Sequence, residues 1–156
     1  VAAFSTEQLH WFPARALMFW EDLKCDAWPL AAVQGTLIGV RAQLPRYPDA
    51  ARGEDSALMI ELARSGAPVA RIKGIGWSYV YTFHGRNAWD AAHHAAAAAS
   101  KALSPARLLA RESELRARLA DYQPPLPPVR LPYAGGAIDI DAHAAPAGRN
   151  LRASDA

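Results

Sequence analysis

Two short polar motifs lie on either side of an aromatic segment, and their side chains could carry chemistry. Arg52-Gly53-Glu54-Asp55 precedes a predicted helix, and His84-Gly85-Arg86-Asn87 follows a predicted strand. Two carboxylates and one imidazole, delivered by separate elements, can converge on one metal ion or one sugar hydroxyl group. The alternative is structural, with Glu54 and Asp55 capping a helix and His84 holding a turn. The elements around the motifs decide which interpretation is favoured.

Length and composition favour one globular domain without a nucleic-acid surface. The chain has 156 residues, 51% of them apolar, and its 17 basic and 15 acidic residues give a net charge of +2. Nucleic-acid binding would favour clustered basic residues, so we expect no such partner. Cys25 is the single cysteine, which excludes an internal disulfide. No segment is long and apolar enough to predict a membrane span, and we expect a cytoplasmic protein. Because the chain begins with Val1, we expect a trimmed N-terminus or a fragment.

Apolar spacing and turn residues predict alternating helices and strands. Residues 5–24 show three- and four-residue apolar spacing, which predicts a helix that starts or kinks at Pro13. A buried strand is predicted at 33–41, a helix at 55–64 that ends at Gly66, and strands at 68–73 and 77–83. Two further helices are predicted at 89–102 and from Ser104-Pro105 to about residue 122, the second on the surface.

The composition changes after residue 122. Pro124-Pro125-Leu126-Pro127-Pro128 predicts a stiff extended segment, followed by a tail with one short strand near Ile138. The sequence therefore predicts a folded unit at 1–122 and a Pro-rich extended tail at 123–156.

The order of these elements and motifs resembles a known enzyme family. The matching features are the Gly35-Thr36 strand, the Arg52-Gly53-Glu54-Asp55 helix start, the aromatic strand and His84-Gly85-x-Asn87-x-Trp89. Over residues 11–94 this order resembles the second half of a family 2 glycosyltransferase domain of the GT-A type. The resemblance implies an α/β fold, the C-terminal half of a GT-A domain, with a small mixed sheet flanked by helices.

The family resemblance also implies roles for individual residues. Asp55 would be the catalytic base of an inverting sugar transfer, and Glu54 would orient the acceptor. His84 would serve the metal, Mg²⁺ or Mn²⁺, or the donor diphosphate. Substrate binding would fall to four further residues: Gly35, Thr36, Arg52 and Asn87. The implied partners are a nucleotide-sugar donor and a carbohydrate or other hydroxyl-bearing acceptor.

One family feature is missing at its expected place. The family's Asp-x-Asp motif precedes the acidic pair, whereas Asp139-Ile140-Asp141 follows it, so we interpret that sequence as coincidental. The N-terminal half of the domain is expected upstream of the chain. Adjacent residues on a helix point about 100° apart, so His93 and His94 are not expected to share a metal with His84.

Two other functions stay open at this level. The chain could be a non-catalytic binding module derived from the same fold, or a structural α+β domain whose acidic pair and histidine coincide by chance. Three expectations follow from the preferred interpretation. Residues 33–41 and 77–83 should share one mixed sheet with the helix from Asp55 packed on it, Asp55 and His84 should face one cleft, and the chain alone should not transfer sugar.

Overall fold

The computed structural model describes residues 2–23, 29, 31–49 and 53–141, and within these ranges the protein has an α/β fold with two mixed sheets. Arg52 and Cys25 lie outside the described residues, so the structure does not test the substrate-binding role predicted for Arg52. The strands are β1 Ala2–Ser5, β2 Glu7–Phe12, β3 Leu17–Asp22, β4 Ile38–Gly39, β5 Val69–Ile72, β6 Val80–Thr82, β7 Val129–Tyr133 and β8 Gly136–Ile140. The helices are α1 Glu54–Arg64, α2 Ala91–Lys101, α3 Pro105–Ala110 and α4 Glu112–Leu119.

The N-terminal segment forms strands, and the prediction of a helix at 5–24 is wrong. Strands β2 and β3 form an antiparallel hairpin that pairs Glu7 with Asp22 and Phe12 with Leu17. A 3-10 helix at Pro13–Arg15 and a left-handed Ala16 (φ 49°) close the turn. The hairpin is central in its sheet and largely covered on both faces, so the alternation of apolar and polar residues that marks a half-exposed strand is lost. Its aromatic content suits a strand.

The five-stranded sheet has the order β6-β2-β3-β7-β8 and includes part of the predicted tail. Strands β7 and β8 form a hairpin, and Leu17 of β3 pairs with Arg130 of β7. The predicted strand near Ile138 is confirmed as β8. Residues 129–140 are not an extended tail, because Leu131, Ile138 and Ile140 are buried in the core of this sheet.

The three-stranded sheet has the order β4-β1-β5, and its composition contradicts one prediction. Residues 33–41 contribute only the two-residue strand β4, which follows a 3-10 helix at Gln34–Thr36. The Thr36 hydroxyl donates to the Val33 carbonyl oxygen (2.6 Å) and accepts from the Ser5 N–H (2.8 Å). This local bonding competes with strand pairing. Strand β6, within the predicted 77–83 strand, lies in the other sheet, so the two segments do not share one sheet.

Each sheet has its own apolar core with helices packed on it. Helix α1 buries Leu58, Met59 and Leu62, and the last two pack in a cluster with Phe4 of β1. This helix begins at Glu54, one residue before the predicted start, and packs on the three-stranded sheet, because the predicted sheet of 33–41 and 77–83 does not form. Leu108, Leu115 and Leu119 of α3 and α4 pack into the core of the five-stranded sheet. The single helix predicted at 104–122 is interrupted at Arg111.

A buried carboxylate connects the five-stranded sheet to its helices. The Oε2 atom of Glu7 accepts hydrogen bonds from Trp20 Nε1 (3.0 Å) and Arg111 Nη1 (2.7 Å). Its Oε1 atom accepts from the Gly74 N–H (3.2 Å). The Arg111 guanidinium also lies over the Trp20 ring, 4.8 Å from its centroid. Glu7 therefore holds β2 in place relative to β3, to the turn at Gly74 and to the junction between α3 and α4.

Among the described residues no helix has both the length and the apolar character needed to cross a membrane.

Candidate functional site

A cleft of about 740 Å³ lies where the N-terminus of α1, the β2–β3 hairpin, β6 and α2 come together. Its volume falls within the range of small-molecule sites. We call it the central cleft, and most of the residues that line it fall into three groups. The acidic side has Gly53, Glu54, Asp55 and Ser56; the inner end has Gln8, His10, Glu21, Tyr79, Tyr81 and His94; the outer side has Ala88, Trp89, His93, Ala97 and Lys101.

The acidic pair lies at the start of α1 and faces the central cleft. Gly53 adopts a left-handed conformation (φ 77°), which favours glycine, and places Glu54 and Asp55 in the first helical turn. The positive end of the helix dipole favours ionised carboxylates at this position. Burial, and then the charge of Asp55 and a hydrogen bond to it, raise the pKa of Tyr47. The Asp55 carboxylate therefore accepts a hydrogen bond from the Tyr47 hydroxyl.

Gly35 lines the central cleft, whereas its neighbour Thr36 does not. A Cβ atom on Gly35 would lie 2.3 Å from the Tyr79 hydroxyl oxygen, so only glycine permits this approach. Burial, then Tyr81 and Asp55, raise the pKa of Tyr79, which keeps its phenol protonated. Thr36 instead bonds to the backbone of Val33 and Ser5, as described above. The two residues predicted to bind substrate together therefore have different roles.

The loop from His84 to Asn87 does not line the central cleft. His84 is exposed, and its Nδ1 atom accepts a hydrogen bond from the Arg86 N–H (3.3 Å). Asn87 Oδ1 accepts from the His84 N–H (2.9 Å), and its Nδ2 atom donates to the Tyr81 hydroxyl and the Thr82 carbonyl oxygen, both at 3.1 Å. Both side chains stabilise the turn. The prediction that Asp55 and His84 open onto one cleft is therefore wrong.

The inner end of the central cleft contains a buried group that was not predicted from the sequence. We call His10, Glu21 and His94 the imidazole site; their exposed fractions are 3%, 3% and 5%. His10 Nδ1 lies 2.9 Å from Glu21 Oε1, and the His10 and His94 ring centroids are 5.1 Å apart. Reading residues 7–22 as a hairpin would have revealed the pair of His10 and Glu21, which lie on paired strands, but not His94, which lies on α2.

Helix α2 carries the other side of the central cleft. Asp90 caps this helix, with its Oδ1 atom accepting from the His93 N–H at 2.8 Å. His94 is buried against Tyr81, while His93 is exposed and stacks on Trp89 at 4.9 Å between ring centroids. The two histidines thus point in different directions, in agreement with the prediction. The half-exposed Trp89 indole offers a flat apolar surface beside polar groups.

The site residues do not form a metal centre within the described parts of the chain. No group of three or more His, Cys, Asp or Glu side chains is arranged there to bind a metal ion. Asp139 lies on β8, where its carboxylate is 3.4 Å from Arg130 on the paired strand. The residues present therefore do not fit the Mg²⁺ or Mn²⁺ that the resemblance implies. What the cleft offers is a carboxylate pair, phenol hydroxyls, imidazoles and an indole face.

No protein-family model, no curated protein and no solved structure matches the chain. The functional interpretation therefore depends on the residues of the central cleft.

Proposed function

We propose that this chain supplies the acceptor side and the catalytic base of an inverting glycosyltransferase that uses a nucleotide-sugar donor. One observation carries the proposal: Glu54 and Asp55, at the N-terminus of α1, face a cleft of small-molecule size. The helix behind the pair holds both carboxylates in place, and the positive end of its dipole interacts favourably with negative charge. This is the arrangement that a general base for a hydroxyl group requires.

Asp55 acts as the base in the proposed reaction. It takes the proton of the acceptor hydroxyl while that oxygen forms a bond to the anomeric carbon of the donor sugar. The bond from the anomeric carbon to the donor phosphate oxygen breaks on the opposite face, and the nucleoside diphosphate leaves with the electron pair. Inversion follows because attack and departure take place on opposite faces of the sugar.

The remaining residues of the cleft suit a hydroxylated acceptor. Glu54 and the Tyr79 phenol present hydrogen-bonding groups, and Gly35 allows that phenol to lie against the backbone at the cleft. The Trp89 ring provides the apolar contact that an aromatic side chain makes beside polar groups. Such a combination is typical of binding sites in which a few polar groups orient a ligand on an apolar surface.

The proposal assigns no metal ligand or diphosphate site to the described residues. His84 and Asn87 hold a turn, and no suitable metal-binding group is present in the described ranges. The divalent metal, Mg²⁺ or Mn²⁺, and the nucleotide would be bound by other parts of the gene product. The activity therefore has to be tested on that whole product.

Substitution of Asp55 tests the proposal. The full gene product is assayed with UDP- and GDP-sugars and Mn²⁺, and Asp55→Asn is compared with Glu61→Gln, which alters an exposed carboxylate on the same helix. We expect Asp55→Asn to lower turnover by about 10²- to 10⁴-fold, the usual contribution of a general base. Donor affinity should stay unchanged, because the amide keeps the shape of the carboxylate, and Glu61→Gln should be silent.

Near-normal turnover of Asp55→Asn would show that Asp55 only stabilises the helix start. Donor or acceptor binding without any transfer would favour the alternative function, a non-catalytic binding module of the same fold.

A further inference from the structure

The imidazole site contains two buried nitrogen atoms whose hydrogen-bonding capacity is unused. The Nε2 atoms of His10 and His94 have no hydrogen-bond partner among the described residues. Both histidines line the central cleft and both are more than nine-tenths buried. A buried polar atom without a partner is costly and rare in native structures. The pair therefore indicates a group that binds at this end of the cleft.

The hydrogen bonds around Glu21 fix the tautomer of neutral His10. The Oε2 atom of Glu21 accepts from Gln8 Nε2 (2.5 Å), and its Oε1 atom lies 2.9 Å from His10 Nδ1. A carboxylate only accepts hydrogen bonds, so the proton of neutral His10 is on Nδ1. Its Nε2 atom then carries a lone pair and acts as an acceptor.

His94 complements this acceptor. Its ring stacks on Tyr81 at 5.3 Å and meets the His10 ring edge-on. Burial, followed by the neighbouring His10 and His93, lowers the pKa of His94, so its imidazole is neutral at neutral pH. In the neutral state the Nε2 atom of His94 can carry the ring proton and donate.

We propose that His10 and His94 form a subsite that binds one hydroxyl group of a polyol or sugar. The hydroxyl donates to His10 Nε2 and accepts from His94 Nε2–H, which satisfies both atoms. A fully ionised oxyanion such as sulfate only accepts hydrogen bonds and leaves the His10 lone pair unpaired. The role of this subsite in sugar recognition rests on the proposed function. The subsite adds a second polar contact to the cleft that Asp55 faces. Both Nε2 atoms are covered, so side chains at this end of the cleft must move before the hydroxyl group binds.

Imidazole nitrogen NMR on the full chain tests the subsite directly. Protein labelled with ¹⁵N at histidine is titrated at pH 7.5 with D-glucose, D-mannitol and glycerol, and separately with sulfate. We expect saturable shifts of the His10 and His94 Nε2 signals with at least one polyol, with a dissociation constant of about 1 mM or weaker, and none with sulfate. The exposed His84 is the internal control, and His84→Gln should respond like the parent protein.

Substitution of Glu21 separates recognition from packing. In Glu21→Gln the side-chain oxygen stays on the Gln8 amide, so the NH₂ group faces His10 and donates to Nδ1. The His10 proton then moves to Nε2, and the subsite presents donors only. We expect polyol binding to weaken about tenfold, the effect of one hydrogen bond, and sulfate to shift the same signals. Circular dichroism confirms that the variant is folded.

Each result decides the proposal. Unchanged polyol binding in Glu21→Gln, or no shift of either imidazole with any of the three polyols, overturns the subsite, and a permanently bound water would then explain the buried nitrogens. These readouts need no sugar transfer. Failure of the Asp55→Asn assay would therefore leave the subsite intact, and failure of the subsite would leave the role of Asp55 open.

Discussion

Glu7→Gln should destabilise the protein strongly, because one buried carboxylate serves three donors. The amide oxygen can replace Oε2 and keep the bonds from Trp20 and Arg111, at 3.0 and 2.7 Å. The NH₂ group then faces the Gly74 N–H, and a buried donor without a partner costs about 1–3 kcal/mol. Loss of the charge opposite Arg111, whose side chain is 23% exposed, adds about 1 kcal/mol after solvent screening. The expected loss is about 2–4 kcal/mol.

Urea unfolding measures this loss, and Glu112→Gln is the matched control. Glu112 pairs with Arg116 at 2.7 Å on the surface of α4, where an ion pair one helical turn apart contributes about 0.5 kcal/mol or less. With a slope of about 2 kcal/mol per molar urea, Glu7→Gln should lower the midpoint by about 1–2 M and the control by about 0.3 M or less. If the two variants unfold at the same midpoint, Glu7 does not hold the hairpin, the turn and Arg111 together as described.

Three further predictions concern the central cleft. The pKa of His94 is lowered from its ordinary value of 6.5 mainly by burial. The unfolded chain therefore binds the proton more readily, and stability should fall as pH decreases below about 6.5. Urea midpoints between pH 7.5 and 5 should drop less in His94→Phe than in the parent. Gly35→Ala would place a Cβ atom 2.3 Å from the Tyr79 hydroxyl, so the Tyr79 ring should shift in a crystal structure and polyol binding by NMR should weaken. An unmoved ring would contradict that close contact. The chain alone should bind UDP- and GDP-sugars with a dissociation constant weaker than about 10 μM in calorimetry with Mn²⁺, and tighter binding would refute the proposal that the nucleotide site lies elsewhere.

Local signals predicted the elements whose ends are marked by turn or capping residues. Helix α1 begins at Glu54 after Gly53, and Gly66 follows its end with a left-handed backbone (φ 66°). Glycine and first-turn acids act within a few residues of the chain, so the sequence is sufficient to identify them. The strand at 69–72 and helix α2 lie within the predicted segments at 68–73 and 89–102.

The predictions failed where burial on two sides controls the conformation. The spacing of Leu9, Phe12 and Phe19 fits a helix, but these residues lie in a hairpin whose two strands are the interior of a five-stranded sheet. Which partners cover a strand is a long-range property, so the local apolar pattern does not reveal it. Strand β7 was missed for another reason: its apolar residues Val129 and Leu131 pack in one core with Leu9 and Trp20, which are far away in the sequence.

The residues of the candidate site also fall into two classes, those identified from the sequence and those brought together only by the tertiary structure. Residue type and position near a helix start were enough to identify Glu54 and Asp55 as cleft carboxylates, because a helix N-terminus is a local feature. His84 and Asn87 looked equally suitable in the sequence, yet their hydrogen bonds hold a turn away from the cleft. Only the tertiary structure brings His10, Glu21 and His94 together, since strand pairing and the packing of α2 against β3 join residues that are distant along the chain.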